Sequence, residues 1–158
     1  MMTFRVASRF LSTVAYALAL SACGNAFQAS TPPGFVELAD QEEYAYRATN
    51  ADGLVVAVRE IEHDPKGELS FWTKAIEKQL RERAGYALIG TRDVKAKTGE
   101  SGKQLRFGHD QGKTPYLYTV TVFVTDDNLF VIEAGGTKAL MEKHAAQLDW
   151  TIANFRID

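Results

Sequence analysis

The spacing of apolar and polar residues changes several times along the chain, and each change predicts an element. From Phe10 to Leu20 the residues are apolar apart from Ser12 and Thr13, with Arg5 and Arg9 ahead of them. Residues 24–33 (GNAFQASTPP) are small, polar and proline-terminated. Phe35, Val36 and Leu38 then predict a short first strand, and Tyr44-Ala45-Tyr46 alternates weakly before the turn residues Asn50-Ala51-Asp52-Gly53. Leu54 to Ile61 is rich in β-branched residues and predicts a strand. Leu69, Trp72, Ile76 and Leu80 recur at helical spacing, with charged residues elsewhere around the cylinder. Asp64-Pro65 supplies a helix-start signal for this segment, and Gly85 a stop.

Four strand-like segments follow: Tyr86–Lys95, Gln104–His109, Pro115–Thr125 and Leu129–Ala134. The third is β-branched or aromatic at almost every position, and Asp126-Asp127-Asn128 turns it into the fourth as a hairpin. Gly135-Gly136 ends the sheet. Thr137 is placed to cap a final helix that buries Met141, Leu148 and Ile152, with Trp150 and Phe155 flanking. The connections between Tyr86 and Ala134 are too short for parallel crossovers. The pattern therefore predicts an α+β domain: a mostly antiparallel sheet of about six or seven strands with two main helices packed on it.

The N-terminal apolar run is too short to cross a bilayer, which takes ~20 residues. A positive segment, a short apolar segment and small residues in sequence are the pattern of a secretory signal. Cys23 follows Leu20-Ser21-Ala22 and is the single cysteine of the chain. This arrangement resembles a bacterial lipobox, which implies cleavage before Cys23 and lipid on its thiol. The expected organisation is a signal peptide over 1–22, a lipidated cysteine with a flexible tether over 23–33, and one α+β domain over 34–158. Fully extended, ten tether residues reach at most ~33–36 Å, which keeps the domain near its membrane. Gly24 after the cysteine, by resemblance to enteric lipoproteins, favours the periplasmic face of the outer membrane over the inner one.

Cleavage removes two arginines, leaving 16 basic against 20 acidic side chains, a formal charge of −4. Without a basic surplus, nucleic acid is excluded as an expected partner, and membrane attachment falls to the acyl chains on Cys23. A single thiol also excludes a disulfide within the domain.

The order of elements resembles the DcrB-like and PsbP-like superfamily of α/β/α sandwiches. The residues that carry the resemblance are the Gly34-Phe35 start, the first helix with Trp72, Tyr116-Leu117-Tyr118, the strand segment LFVIEAGG from Leu129, and the tail IANFRI from Ile152. It covers roughly Phe35 to Ile157. Members include envelope lipoproteins, chaperones, import factors and photosystem accessory subunits. The resemblance implies a binding or accessory module, and it carries no catalytic, metal-binding or cofactor-binding residue over to this chain.

His63 lies between Glu62 and Asp64 in a loop expected to be solvated, since adjacent residues cannot all point at one ion. His109-Asp110 lies within Gly108–Gly112 and reads as a polar hairpin tip; a base oriented by a carboxylate is the functional alternative. His144 is expected beside the buried stripe of the last helix. Ser101 in TGESG lacks the GxSxG elbow between strand and helix, so a hairpin turn is expected. Gly135-Gly136 ahead of a helix is explained by the strand end. Glu133 interrupts an apolar run on the face shared by Leu129 and Val131, and is expected to pair across strands with Arg106 or Lys103. Tyr116, Tyr118, Phe123 and Phe130 either line a ligand groove or pack the sheet.

No catalytic constellation, metal site or cofactor is expected. The expected function is a lipid-anchored, non-catalytic accessory or protein-binding module of the cell envelope, with an envelope protein as partner. The alternative is a small-ligand or lipid carrier with a cleft between sheet and helix. A filled core with exposed apolar residues favours the first, and a deep apolar pocket the second.

Overall fold

The structure, a computed structural model, describes residues 26–158. Cys23 and the signal segment 1–22 lie outside the described residues. In chain order the elements are β1 (Phe27–Gln28), β2 (Phe35–Glu37), β3 (Tyr46–Asn50), β4 (Val55–Glu62), α1 (Leu69–Ala84), β5 (Ala87–Lys95), β6 (Ser101–Gln111), β7 (Thr114–Val124), β8 (Asn128–Thr137), α2 (Lys138–Lys143), α3 (Ala145–Ala153) and β9 (Arg156–Ile157). The domain is α+β as expected. Its main sheet has seven strands in the order β2-β3-β4-β8-β7-β6-β5, each antiparallel to its neighbours.

This order follows from one crossover. After β4 the chain leaves the middle of the sheet, runs along α1 across one face, and starts β5 at the far edge. The meander β5–β8 then returns strand by strand until β8 pairs with β4 over Val55–Glu62. Period-2 alternation sends successive side chains to opposite faces. One face holds Val56, Val58, Phe123, Phe130, Ile132 and Ala134 under Met141, Leu148, Ile152 and Phe155. The other holds Leu105, Phe107, Val120, Val122 and Val131 under Leu69, Ile76 and Leu80 of α1. The two hydrophobic clusters thus lie on opposite sides of one sheet.

The first cluster is centred on stacked and tilted rings. Phe155 lies 5.4 Å from Phe27, 5.7 Å from Phe123 and 5.8 Å from Phe130. Each fully buried phenylalanine contributes about 1.5–3 kcal/mol from burial. Phe27 corrects the expected tether. It is 5% exposed, and β1 pairs with β9 through Phe27↔Ile157 and Gln28↔Arg156 in a two-stranded sheet. A polar, proline-bearing segment reads as a leash, but its one large apolar residue fills a site that only the folded C-terminus creates. Residues 26–33 therefore belong to the domain.

Two helix boundaries also differ from expectation. α1 starts after Glu68 rather than at Pro65, because the Gly67 N–H is donated to the His63 ring and residues 64–68 wrap that ring as a loop. The last helix is two helices. Thr137 does cap α2, accepting from the Leu140 N–H, but His144 has φ −108° and ψ 18° and separates α2 from α3. Its Nε2 lies 2.7 Å from Asp52 Oδ2, and Lys143 Nζ donates to the same oxygen at 2.8 Å. The β3–β4 turn thereby holds the chain where the helix bends. Gly85 ends α1 with φ 70°, as its position predicts. Among the described residues no helix is long and apolar enough to cross a membrane.

Candidate functional site

α1 packs over β5, β6 and β7 and leaves the β4 side of the same sheet face uncovered. Between α1 and that uncovered half runs a groove of about 380 Å³, open along one side. Ile76, Gln79 and Leu80 form its helix wall, and Ile61, Val120 and Val131 its apolar floor. Into this floor the strands place Arg59, Tyr118 and Glu133.

The three meet because of register. Glu133 in β8 is opposite Ala57 on one side and Val120 on the other. Arg59 and Tyr118 are each displaced by two residues from those partners, so all three share a face as diagonal neighbours. Arg59 Nε donates to Glu133 Oε2 at 3.1 Å, and the Tyr118 hydroxyl donates to Glu133 Oε1 at 2.9 Å. Arg59 Nη2 donates to the Tyr44 hydroxyl at 2.7 Å, and its guanidinium carbon lies 4.1 Å from the Tyr44 ring centroid. Glu43 lies 4.0 Å from Arg59 Nη1.

The electrostatics follow from this geometry. Burial, the Glu133 charge and the hydrogen bond to it all raise the Tyr118 hydroxyl above its usual pKa of 10.0. For Arg59, burial alone would weaken the proton affinity, but the hydrogen bond and charge of Glu133 outweigh it and raise the pKa. Both carboxylate oxygens of Glu133 are therefore occupied by donors, and Tyr118 is held as a donor. Within the cluster each of the three groups is hydrogen-bonded to another member.

Glu133 does share a face with Val131, as its spacing predicts, but its partner is Arg59 and not Arg106 or Lys103. The reason is strand order. β6 carries both of the expected cations and is separated from β8 by β7, whereas β4 is adjacent. Arg59 was detectable in the sequence as a charge inside the β-branched run Leu54–Ile61, complementary to the acid inside Leu129–Ala134. What sequence could not supply was the pairing of β4 with β8 across α1 and three further strands.

The other candidates do not converge. His109 lies in β6, is exposed, and packs against the Tyr86 ring at 5.3 Å. It lines a separate surface depression with Tyr116 and Lys138, so His109 and Glu133 do not share a cleft. His144 is held by Asp52 at the α2–α3 bend. His63 departs from the expected solvated loop: it is buried beneath the start of α1, with its ring nitrogens facing Thr125, Gly67 and Trp72. Ser101 begins β6 directly after the turn at Gly99, and Gly135-Gly136 continue β8 instead of ending it. Phe123 and Phe130 are fully buried core, while Tyr118 lines the groove. No group of three or more metal-ligating side chains is found among the described residues.

A smaller pocket of about 150 Å³ lies on the opposite face, where Arg92, Gln104 and Arg106 edge Leu117, Met141 and Leu148. Its Arg92 is already engaged by Gln104 and Asp149. Two wider, more open depressions lie elsewhere: one of about 590 Å³ mixes Ile89, Tyr116 and Leu117 with Arg106, Asp110 and Lys138, and one of about 620 Å³ is lined largely by charged side chains of α1. The α1 groove is the concavity that combines apolar walls with a part-buried charged cluster.

No protein-family model matches the chain, and no curated protein matches it significantly. Solved structures do resemble it. LpqN, described as involved in cell envelope biogenesis of Mycobacterium tuberculosis, superposes with a TM-score of 0.67 at 11% identity, over 83% of this chain and 82% of that one. The Ran-binding protein Mog1p of Saccharomyces cerevisiae gives 0.57 at 16% identity, over 86% and 92%. Cyanobacterial PsbP of Synechocystis gives 0.55 at 12% identity, over 88% and 99%. At these identities the likeness is one of fold, and the fold is PsbP-like.

Proposed function

We propose that this chain is a lipid-anchored accessory module of the cell envelope, without catalytic activity, whose α1 groove docks a protein partner. The observation that carries this reading is the groove itself. Its floor holds a cluster whose members are hydrogen-bonded to one another, the far face of the sheet is closed by packed phenylalanine rings, and Ile61 in the floor remains 43% exposed. A polar floor held by such internal hydrogen bonds orients a surface. An open apolar groove with a fixed charged patch has the composition of a protein contact site. The fold supports the reading by analogy: LpqN is described by its part in envelope biogenesis and Mog1p as Ran-binding.

Attachment through Cys23, with the periplasmic face of the outer membrane as the favoured location, is part of the proposal. Cys23→Ala should abolish fatty-acid labelling and leave the unprocessed chain; undiminished labelling would overturn the anchor. The docking reading is tested by placing a photocrosslinking residue at Ile61 or Gln79 in intact cells, with Lys113 at the β6–β7 turn as control. One protein captured from both groove positions and not from Lys113 supports it; indiscriminate or absent capture refutes it. The carrier alternative rests on the groove's volume, which lies at the small end of ligand sites. Stoichiometric lipid or small molecule extracted from the purified chain would favour that alternative.

A further inference from the structure

His63 is the one buried histidine among the described residues, 5% exposed, and every polar atom of its ring is committed. Nδ1 lies 2.6 Å from the carbonyl oxygen of Thr125. A carbonyl only accepts, so Nδ1 carries the hydrogen. Nε2 is then the bare acceptor of the neutral ring. It receives two donors, the Gly67 N–H at 2.8 Å and the Trp72 indole N–H at 3.1 Å. The His63 backbone N–H is donated to the Asp127 carbonyl at 2.8 Å, which fixes the residue to the β7–β8 turn. One ring therefore ties three things together: the turn after β7, the loop 64–68, and the first turn of α1. It stands two residues beyond Ile61, where the sheet side of the groove meets the chain that leads into its helix wall.

We propose that His63 is an acid-operated latch on the start of α1. A proton added at Nε2 turns a shared acceptor into a third donor facing two N–H groups. Both hydrogen bonds are lost, Nδ1 stays on Thr125, and loop 64–68 with the first turn of α1 is released. α1 has no side-chain cap hydrogen bond at Glu68. The ring is buried. The charged groups around it are Glu62, Asp64, Lys66 and Glu68 on its own segment, and Asp126 and Asp127 on the turn packed against it. Lys66 Nζ donates to the Asp126 carbonyl and is the one cation of this set. Glu68 and Asp126 line one surface depression with His63, and Glu62 and Asp64 are its neighbours in the chain. The latch is independent of what the groove binds.

The test is nitrogen NMR of the histidine rings in the full chain, read with amide and indole hydrogen exchange between pH ~8 and ~5. At the upper pH His63 should show the neutral Nδ1–H form. As it becomes an imidazolium, protection at the Gly67 amide and Trp72 indole should fall by about tenfold or more, while Val122 and Val131 in the sheet keep theirs. His63→Gln, which does not titrate, should remove the pH dependence at Gly67. The proposal is overturned if His63 stays neutral until the whole domain unfolds, or if it protonates with Gly67 still protected. It also fails if His63→Gln retains the wild-type dependence. Should that variant not fold, the wild-type measurement decides alone.

Discussion

Glu133 is bonded by donors from both neighbouring strands, so removing it strands an arginine and a tyrosine in a half-buried groove. Glu133→Ala is expected to cost about 1–3 kcal/mol, discounted for the exposure of Arg59, as measured by urea denaturation. Tyr118 supplies a pH signature. Its hydroxyl holds its proton beyond the usual tyrosine value of 10.0 in the folded state, whereas in the unfolded state it ionises normally. The stabilisation is complete below that pH and is lost as pH rises above it, because only the unfolded chain then releases the proton. Stability should fall steeply on the alkaline side, and Tyr118→Phe should flatten that limb. An unchanged limb would remove Tyr118 from the cluster. Glu133 was visible in the sequence as an acid in an apolar strand. Its partner was not, because Arg59 is 74 residues away in the chain and one strand away in space.

At the scale of elements, strand–strand approach is decided by small residues as much as by pattern. Gly102 of β6 lies opposite Phe123, and a Cβ there would sit 2.5 Å from the Phe123 ring and 2.7 Å from the Val122 carbonyl oxygen. Gly102→Ala should therefore destabilise by about 1–3 kcal/mol through overpacking. Gly90 of β5 has no atom within 4 Å of such a Cβ and no left-handed backbone, so Gly90→Ala should be neutral or slightly stabilising. Thermal melting of the two variants compares them directly; equal loss would contradict the packing. Most elements were legible because their periodicity is strong: the five longer strands, α1 and the cap at Thr137. The exceptions share a cause. The start of α1 and the break at His144 depend on side chains outside the helices, on the His63 ring and on Asp52. Local sequence carries a start signal at Asp64-Pro65 but not the partner that overrides it.

For the whole molecule, β1 and β9 close the domain by joining its two ends. Phe27→Ala should cost about 3–5 kcal/mol by denaturant midpoint, as for a buried core ring. A residue in a solvated leash would give no change, so this variant separates the two readings of residues 26–33. By itself the sequence determined the α+β class, the antiparallel sheet, the helix that packs on it and the absence of a recognisable reactive motif. These follow from alternation, helical spacing and residue type, all local properties. Tertiary structure alone decided that β4 lies beside β8, that Glu133 answers to Arg59, that His63 is buried, and that Phe27 belongs to the core. Each of these depends on contacts between segments far apart in the chain. Such contacts form only after the crossover of α1 sets the strand order, and no local pattern encodes that order.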